Sequence, residues 1–316
     1  MRCEHAPSRQ SNGRCRPSSA ADGGLVFAAM QISVLGAGTM GAGIVYVAAA
    51  AGLQVRVYDV SGEAVDAGLR RLQRDLDGAV ARDRMTADEA AAARARVLAS
   101  TDLAEAVGGS DLVVEAVVEE MAVKRDLLAR AEADAAASTV LATNTSSLSV
   151  TEIMAGLEDP GRGIGMHFFN PVRAMRLCEL VVGLDTREET VGRAEDAARM
   201  MGKQTVRVRD VAGFATSRIN AVIGNEAFFM LAEGVASAED IDTAVKLGLN
   251  HPMGPLEMAD LVGLDVRLAV LNELRRSLGD KYRPAPLMES YVRAGRLGRK
   301  VGRGVYEYDS DGNRVG

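Results

Sequence analysis

The feature that most constrains this chain is a glycine-rich turn that joins a short apolar strand to a helix. The predicted strand ends at Leu35, the turn reads GAGTMG from Gly36 to Gly41, and an apolar helix follows as far as Ala51. A second predicted strand ends in Asp59, at roughly the 20-residue distance that a dinucleotide-binding βαβ unit requires. Glycines alone are a weak signal, but strand, turn, helix, strand and acid in this order predict a Rossmann-type sheet that binds a dinucleotide.

Each residue of this turn has a physical reason to be there. Gly36 permits the tight turn, Gly38 lets the backbone approach a pyrophosphate, and Gly41 allows the helix to pack closely on the sheet. The candidate cofactor contacts of the turn and the helix N-terminus are Gly36, Gly38, Thr39, Met40 and Gly41. The carboxylate of Asp59 accepts hydrogen bonds from ribose hydroxyls and repels a 2′-phosphate, which favours NAD over NADP. The alternative is that the glycines only make a tight turn and that Asp59 caps a strand end.

Short apolar runs alternate with longer helical stretches along the first two thirds of the chain. Seven runs read as strands: 31–35, 54–59, 111–116, 139–143, 163–169, 177–182 and 205–208. Strands that alternate with helices predict an α/β fold with a mostly parallel sheet covered on both faces. The stretch 62–97 is too long for one crossover and reads as two charged, alanine-rich helices. We therefore expect a projecting helical-hairpin insertion in the Rossmann-type sheet.

Strand signals vanish after Asp210, where the apolar spacing becomes helical and predicts an all-α C-terminal domain. Ser237 and Asp240 are expected to form a capping box at one of its helices. The sequence thus predicts a disordered extension over 1–29, an NAD-binding Rossmann domain over 30–211 and a helical domain over 212–316. The extension is rich in Ser, Arg, Gly and Pro, and we interpret it as a vestigial or misassigned start rather than an organelle transit peptide.

The charge balance excludes one class of partner. The 316 residues carry 37 Lys and Arg against 43 Asp and Glu, so a net charge of -6 offers no basic footprint for a nucleic acid. No run approaches the roughly 18 consecutive apolar residues of a membrane span, and no membrane partner is expected. The three cysteines, Cys3, Cys15 and Cys178, lack metal-ligand spacing, which predicts no metal site and suits a reducing cytoplasm.

Only three histidines are available to act as a base. His5 lies in the N-terminal extension, and His251 stands between Asn250 and Pro252, where it is expected to organise a turn between helices. His167 ends a predicted strand whose carboxyl end opens onto the crevice where ligands bind in such sheets. His167 is therefore the candidate acid/base residue.

A carboxylate lies twelve residues after this histidine, within an otherwise apolar strand. Glu179 needs a partner if it is buried. An imidazole, with an ordinary pKa of roughly 6.5, can take the proton of an alcohol as hydride leaves its carbon, and a carboxylate held against it stabilises the resulting cation. The residues alone also allow a second interpretation, in which His167 is a satisfied core histidine and Glu179 faces solvent at a sheet edge.

Six motifs occur in the chain in a specific order. They are GAGTMG at 36–41, EAVVE at 115–119, NTSSL at 144–148, HFFNP at 167–171, HPMGP at 251–255 and GRKVG at 298–302. With them, the chain from Met30 to Tyr308 resembles the short-chain L-3-hydroxyacyl-CoA dehydrogenases, including bacterial 3-hydroxybutyryl-CoA dehydrogenases. The resemblance implies an NAD-dependent oxidoreductase of fatty acid metabolism, whose helical domain binds substrate and forms a homodimer.

The resemblance also implies roles for individual residues. It makes His167 the acid/base residue and Glu179 its orienting carboxylate, and it places the Ser146 hydroxyl against both the substrate oxygen and the nicotinamide. Four more residues match family positions that contact the cofactor: Glu119, Lys124, Asn170 and Lys300. Without the family, the charged members of this set would be interpreted as solvated, with Glu119 and Lys124 on a surface helix.

The chain departs from the family pattern where substrate is expected to bind. Family members commonly have Asn where Ser217 precedes Arg218, and that Asn helps to complete the active site. Serine offers one donor where an amide offers two, so the contact of Ser217 to the substrate oxygen is expected to be lost, weakened or water-mediated. In the helical hairpin, Asp75 and Arg82 stand where the family usually has Ser and Lys for the CoA moiety. Arg82 suits a phosphate, whereas ionised Asp75 repels one.

The expected reaction is the interconversion of an L-3-hydroxyacyl-CoA and the 3-oxoacyl-CoA by hydride transfer with NAD. Its expected catalytic residues are His167, Glu179, Ser146 and Ser217, and its substrate contacts include Ser146 and Arg82. Two rivals are a dehydrogenase of a free 3-hydroxy acid and a non-enzymatic NAD-binding protein, because a fold does not guarantee an activity. The intact NTSS and HFFNP segments argue against the first rival, and the presence of both His167 and Glu179 argues against the second.

Overall fold

A computed structural model describes residues 30–315, so the expectations for residues 1–29 lie outside the described part of the chain. The described strands are β1 (Gln31–Leu35), β2 (Gln54–Tyr58), β3 (Val97–Ser100), β4 (Leu112–Glu115), β5 (Val140–Thr143), β6 (Gly163–Phe168), β7 (Leu177–Val182), β8 (Gln204–Arg209), β9 (Glu307–Tyr308) and β10 (Arg314–Val315). The described helices are α1 (Thr39–Ala50), α2 (Gly62–Val80), α3 (Ala87–Ala95), α4 (Leu103–Val107), α5 (Met121–Asp134), α6 (Val150–Met154), α7 (Glu188–Met200), α8 (Thr216–Glu233), α9 (Ala238–Gly248), α10 (Pro255–Val262), α11 (Leu264–Leu278) and α12 (Pro286–Arg293).

The first eight strands form one twisted sheet in the order β3-β2-β1-β4-β5-β6-β7-β8. All neighbouring pairs are parallel except β6 and β7, which are antiparallel. The predicted α/β fold with a mostly parallel sheet is confirmed. Strand β3 was not predicted, because this short edge strand buries only Val97 and exposes Leu98 and Ala99, so its apolar pattern is weak.

The predicted helical-hairpin insertion is present as α2 and α3, and its buried residues pack against α1. The buried stripe of α2 includes Leu72 and Leu76, which join the same apolar cluster as Ile44 of α1 and Ala93 of α3. Thr86 begins α3 with a capping box, since its hydroxyl accepts from the Glu89 amide and the Glu89 carboxylate accepts from the Thr86 amide. The hairpin therefore packs on α1 and next to the edge strand β3.

After β8 the described chain is almost entirely helical and packs around its own apolar cluster. Phe228, Leu256 and Leu271 are fully buried at the centre of this cluster. Ser237 caps α9 by accepting a hydrogen bond of 3.1 Å from the Asp240 amide. This arrangement agrees with the predicted all-α C-terminal part, while the division at residues 211 and 212 into domains stays a prediction.

Candidate active site

The turn after β1 has the geometry that its glycines suggest. Gly36 has a φ of +108°, and a Cβ there would come within 2.7 Å of the Ala116 carbonyl oxygen. A Cβ at Gly41 would lie 1.8 Å from the Gly36 carbonyl oxygen, so α1 can approach the turn only with glycine at this position. A Cβ at Gly38 would meet nothing within 4 Å, which leaves open space in front of the turn. This space is where a close-lying pyrophosphate fits.

The N-terminus of α1 and Asp59 border a cavity of about 780 Å³ beside this turn. Gly38, the residue before α1, provides no side-chain cap, so the first amides of the helix are available to an anion. The Asp59 carboxylate directly follows β2, and its Oδ2 accepts a 2.9 Å hydrogen bond from the Ala37 amide. Asp59 thus fixes the glycine turn and also presents a carboxylate to the cavity. These residues fit the adenosine and pyrophosphate of a dinucleotide.

His167 and Glu179 form a buried pair at the carboxyl end of β6. They are direct partners in the antiparallel register of β6 and β7, which explains the spacing of twelve residues between them. His167 Nδ1 lies 2.7 Å from Glu179 Oε2, and the two residues are 7% and 0% exposed. The alternative with a solvent-facing glutamate therefore does not describe this structure. Because Nδ1 is engaged, Nε2 is the ring nitrogen that remains for a substrate.

A third residue, Thr216, completes the surroundings of Glu179. The Thr216 amide donates to Glu179 Oε1 and its hydroxyl donates to Oε2, both at 3.0 Å. Ala215, which precedes α8, makes no side-chain cap, so the Glu179 carboxylate satisfies an amide of the first turn. Burial raises the pKa of Glu179, but the hydrogen bonds from His167 and Thr216 outweigh it, and the net pKa lies below the ordinary value. Glu179 is therefore held in its ionised form.

Two aromatic rings flank the histidine. The ring centroids of Phe169 and Phe214 lie 4.3 and 5.7 Å from that of His167. Phe214 has a φ of +47°, an uncommon backbone conformation for a bulky residue. Phe214 lies in the connection between β8 and α8 and is close to His167. Its ring and that of Phe169 restrict the access of water to the imidazole.

His167 opens onto a second cavity of about 350 Å³, which Ser146, Glu119 and Asn170 also line. Met40, Ala116 and Val117 line both this cavity and the larger one beside the glycine turn. The two cavities are therefore adjacent, with the dyad at one end and Asp59 at the other. A dinucleotide that extends from Asp59 across the turn brings its reactive end towards His167.

Glu119 organises the loop that carries Ser146. Glu119 Oε1 accepts hydrogen bonds from the Thr145 hydroxyl at 2.6 Å, the Ser146 amide at 2.9 Å and the Ser147 amide at 3.2 Å. Burial raises the pKa of Glu119, but the charge of Lys124 and the hydrogen bonds from the 145–147 loop outweigh it, and the net pKa is lowered. An ionised Glu119 thus holds the loop against the second cavity.

Lys124 is not a solvated surface charge. It is 0% exposed, although it belongs to α5, and its Nζ lies 2.8 Å from Glu115 Oε1 and 3.2 Å from Glu119 Oε2. Glu119 itself precedes α5, so the interpretation of both residues on one surface helix is wrong. The reason is that Glu115, at the end of β4, supplies a buried counter-charge that allows the lysine to turn inwards.

The remaining predicted site residues lie apart from one another in the structure. Ser217 is half-buried in the first turn of α8, next to Thr216. Lys300 forms an exposed ion pair with Asp265 at 2.6 Å and lines neither of the two cavities. Arg82 is exposed after α2, with its guanidinium group folded back towards Gly78. Their proposed ligand contacts stay predictions.

A third, smaller cavity of about 220 Å³ lies between α2 and the loop after β6. Arg71, Arg74, Asp75, Asn170 and Arg173 line it, and Asn170 also lines the cavity of His167. Asp75 Oδ1 accepts from Arg173 Nε at 2.9 Å, so one of the three arginines is already paired. The cavity has the charge to meet a phosphate, while Asp75 offsets part of it.

Sequence reasoning missed Thr216, Glu115 and Thr145. Thr216 had a signal, since a threonine at the start of a long helix is a natural donor to an acid. Glu115 had one too, because a charged residue that ends an apolar strand needs a buried partner. Thr145 lies next to the predicted Ser146, but its role depends on Glu119, which is 26 residues away.

Two kinds of feature are absent from the described residues. Across 30–315, no three His, Cys, Asp or Glu side chains come together as a possible metal site. In the same range, no helix has both the length and the apolar character needed to cross a membrane.

Two models of one protein family together match most of the chain. A family model described as 3-hydroxyacyl-CoA dehydrogenase, NAD binding domain, matches residues 31–211, and one described as 3-hydroxyacyl-CoA dehydrogenase, C-terminal domain, matches residues 213–308. A probable 3-hydroxybutyryl-CoA dehydrogenase of Bacillus subtilis is 47% identical over 280 residues, which is 88% of this chain and 97% of that protein. A 3-hydroxybutyryl-CoA dehydrogenase of Clostridioides difficile is 41% identical over 281 residues, which is 89% of this chain and 100% of that protein.

A solved structure shows the same arrangement. The crystal structure of (S)-3-hydroxybutyryl-CoA dehydrogenase from Ralstonia eutropha superimposes with a TM-score of 0.86 at 42% sequence identity. The match covers 89% of this chain and 99% of that one, so it extends over both the sheet and the helices that follow it.

Proposed function

Since this chain belongs to the family of NAD-dependent 3-hydroxyacyl-CoA dehydrogenases, we propose that His167 is the acid/base residue of the family reaction and that Glu179 orients it. The reaction interconverts an L-3-hydroxyacyl-CoA and a 3-oxoacyl-CoA. The observation that carries the proposal is the 2.7 Å contact of His167 Nδ1 with a fully buried carboxylate, at the edge of a cavity that Ser146 also lines. We further propose a C4 substrate, as in the names of the relatives from Bacillus subtilis and Clostridioides difficile.

In the oxidative direction, His167 Nε2 takes the hydroxyl proton of the substrate. The resulting imidazolium is stabilised by Glu179, which stays ionised because Thr216 and His167 both donate to it. Bound against Asp59 and the N-terminus of α1, NAD would supply the hydride acceptor for the C3 hydrogen, and NADH would supply the hydride donor in the reverse direction. The C3–O single bond becomes a carbonyl as the O–H and C3–H bonds break. In the reductive direction His167 returns the proton.

Ser146 and Ser217 are proposed to bind the oxygen on C3. The Ser146 loop is fixed by Glu119, so its hydroxyl has a defined position in the cavity of His167. Ser217 is the second residue of α8 and directly follows Thr216, whose amide and hydroxyl donate to Glu179. A hydroxyl at each position can donate to the developing oxyanion.

The cofactor is proposed to lie with its adenosine against Asp59 and its pyrophosphate on the N-terminus of α1. Gly36, Gly38 and Gly41 keep this region free of side chains. The Asp59 carboxylate disfavours a 2′-phosphate, which agrees with NAD as the cofactor of the family.

The CoA moiety is proposed to run from the cavity of His167 towards the arginine-lined cavity beside α2. Asn170 lines both cavities, so a thioester substrate can extend from one into the other. Arg71, Arg74 and Arg82 lie on or directly after α2, where phosphate groups of CoA would meet them. A free 3-hydroxy acid has no group that reaches this region.

A homodimer through the helical part is also proposed. Several large apolar side chains of this part are between 40% and 81% exposed: Ile219, Val222, Leu247, Leu249, Leu261, Val262 and Val266. Such exposure is typical of a surface that another subunit covers. Light scattering is expected to give twice the monomer mass of 33.3 kDa. We place the enzyme in the cytoplasm, where the thiol of Cys178 stays reduced.

The test is NADH oxidation with acetoacetyl-CoA and with free acetoacetate. The parent is expected to use the thioester, and His167→Ala is expected to lower kcat by about 10²–10⁴-fold, the usual contribution of general acid–base catalysis. His251→Asn is the matched control, because it removes the other histidine of the described residues and is expected to keep kcat within about threefold of the parent.

Each contrary result refutes a different part of the proposal. Activity with the free acid alone would refute the thioester substrate. Full activity of His167→Ala would refute the acid/base assignment. Binding of NADH without turnover of either compound would identify a non-enzymatic NAD-binding protein.

A further inference from the structure

Glu115 is a buried charge that the proposed reaction does not use. It ends β4 in the middle of the sheet, between β1 and β5, and it is 0% exposed. Its Oε1 accepts from the Val117 amide at 2.7 Å, and its Oε2 accepts from the Thr143 hydroxyl at 2.5 Å. A buried ion pair is often no more stabilising than apolar residues of the same size, so stability alone is a weak reason for a carboxylate here.

The main partner of Glu115 is the ammonium group of Lys124, which is equally buried. Lys124 Nζ lies 2.8 Å from Glu115 Oε1 and 3.1 Å from Oε2. The same Nζ lies 3.2 Å from Glu119 Oε2, whose side chain is 36% exposed. One ammonium therefore bridges a carboxylate within the sheet and a carboxylate at the edge of the active-site cavity.

Glu119 divides its two oxygens between the lysine and the Ser146 loop. Oε2 faces Lys124, and Oε1 accepts from both the Ser146 and Ser147 amides. Thr145 Oγ1 also accepts from the Ser147 amide, whereas Glu119 is the acceptor of the Ser146 amide, so the position of Ser146 depends on this orientation of Glu119. A chain of contacts thus runs from Glu115 through Lys124 and Glu119 to Ser146.

We propose that Glu115 is a positioning residue for the reaction, which holds the Lys124 ammonium so that Glu119 keeps the Ser146 loop in its catalytic position. The inference rests on the proposed role of Ser146. Without the carboxylate of Glu115, the desolvated ammonium has Glu119 as its only anionic partner. It then draws both oxygens of Glu119 towards itself, and the Ser146 and Ser147 amides lose their hydrogen bonds to Glu119.

The first test is Glu115→Gln, which keeps the shape of the side chain and removes its charge. We expect kcat with acetoacetyl-CoA to fall by roughly 10- to 100-fold, the size of effect that a misplacement of about 1 Å produces. The KM for acetoacetyl-CoA is expected to stay within about threefold, because the arginine-lined cavity is unchanged.

A second readout does not depend on activity. In the cofactor-free protein, the Ser146 and Ser147 amides are expected to exchange with solvent deuterium roughly tenfold faster in Glu115→Gln than in the parent, because their hydrogen bonds to Glu119 weaken. If the variant does not fold, Thr143→Val is the milder substitute. It removes one donor to Glu115 and is expected to change both readouts in the same direction by a smaller factor.

Glu132→Gln is the matched control. Glu132 is also a buried acid of the same part of the chain, 7% exposed and paired at 3.0 Å with buried Arg162. Its substitution is expected to lower the melting temperature while it leaves kcat and the exchange of the Ser146 and Ser147 amides unchanged.

A double-mutant cycle tests whether Glu115 acts through the lysine. Lys124→Met is expected to lower kcat by itself, and Glu115→Gln in that background is expected to change kcat by less than about threefold. An equal loss in both backgrounds would overturn the proposal, as would a Glu115→Gln variant that matches Glu132→Gln in every readout. These outcomes are separate from the assignment of His167, because inactivity of His167→Ala supports the acid/base role whatever Glu115 does.

Discussion

Replacement of Glu179 by Gln tests the dyad most directly, because the two side chains have the same shape. In the parent, Glu179 Oε2 accepts from His167 Nδ1 and from the Thr216 hydroxyl, while Oε1 accepts from the Thr216 amide. The glutamine amide can accept at only one of its two ends. In the variant, therefore, either the new NH2 group faces another donor at one of these contacts, or one of the partners of residue 179 must accept instead of donate.

The size of the effect follows from which end carries the nitrogen. If the NH2 group takes the place of Oε1, it faces the Thr216 amide in the buried interior. If it takes the place of Oε2, His167 Nδ1 must accept, so its proton moves to Nε2 and the imidazole can no longer act as a base. Loss of the orienting carboxylate of a catalytic histidine costs about 10⁴ in kcat in a serine protease. We expect about 10³–10⁴ here, which corresponds to roughly 4–5.5 kcal/mol in the activation barrier.

The assay is steady-state oxidation of 3-hydroxybutyryl-CoA, together with NADH binding and thermal unfolding. NADH affinity is expected to stay within about threefold, because Glu179 does not line the cofactor cavity. Thr216→Val is the matched control. It keeps the charge and the backbone donor, and it is expected to lower kcat by about 10- to 150-fold, as for one hydrogen bond to a charged group. A folded Glu179→Gln variant with kcat within about threefold of the parent would refute the dyad.

Three further predictions follow from contacts described above. Asp59→Ser is expected to raise the KM for NADH at least tenfold, because roughly one charged contact is lost. It is also expected to reduce the preference for NADH over NADPH, measured as the ratio of kcat/KM with the two cofactors. Folding lowers the pKa of Glu179, so its contribution to stability is present above the ordinary value of 4.5 and is lost as the pH falls through the folded value. The difference in melting temperature between the parent and Glu179→Gln is therefore expected to shrink between pH 7 and pH 4. A constant difference would contradict a pKa that folding lowers. Asp75→Asn frees Arg173 and removes a charge that repels phosphate. The KM for acetoacetyl-CoA is therefore expected to fall by about two- to fivefold with kcat unchanged. An increase in KM would show that the ion pair of Asp75 with Arg173 itself shapes the site.

The sheet and the cofactor loop could be predicted because their signals are local. The glycine turn and the strand before it lie within a few residues of one another, and Asp59 follows at a standard distance. The weak edge strand β3 escaped prediction because its residues are half-exposed. The packing of the hairpin against α1 was not predictable, because nothing in the sequence of α2 says which neighbour covers its apolar stripe.

The candidate site was only partly predictable because its charges are paired across strands. Lys124 looked like a solvated residue on a helix, and its burial depends on Glu115, nine positions earlier on a strand. The pairing of His167 with Glu179 depends on the antiparallel register of β6 and β7, which apolar spacing alone does not specify. Thr216 reaches Glu179 over 37 positions, beyond any local pattern.

The contact between Thr216 and Glu179 makes the orientation of His167 depend on how α8 packs against the sheet. One partner of the Glu179 carboxylate is His167 of β6 and the other is Thr216 in the first turn of α8, so a shift of α8 relative to the sheet would loosen the hold on His167. The orientation of the imidazole is therefore set jointly by the sheet and by the first helix that follows it. A chimera that takes its helices from a relative would need a donor at position 216 to keep this coupling.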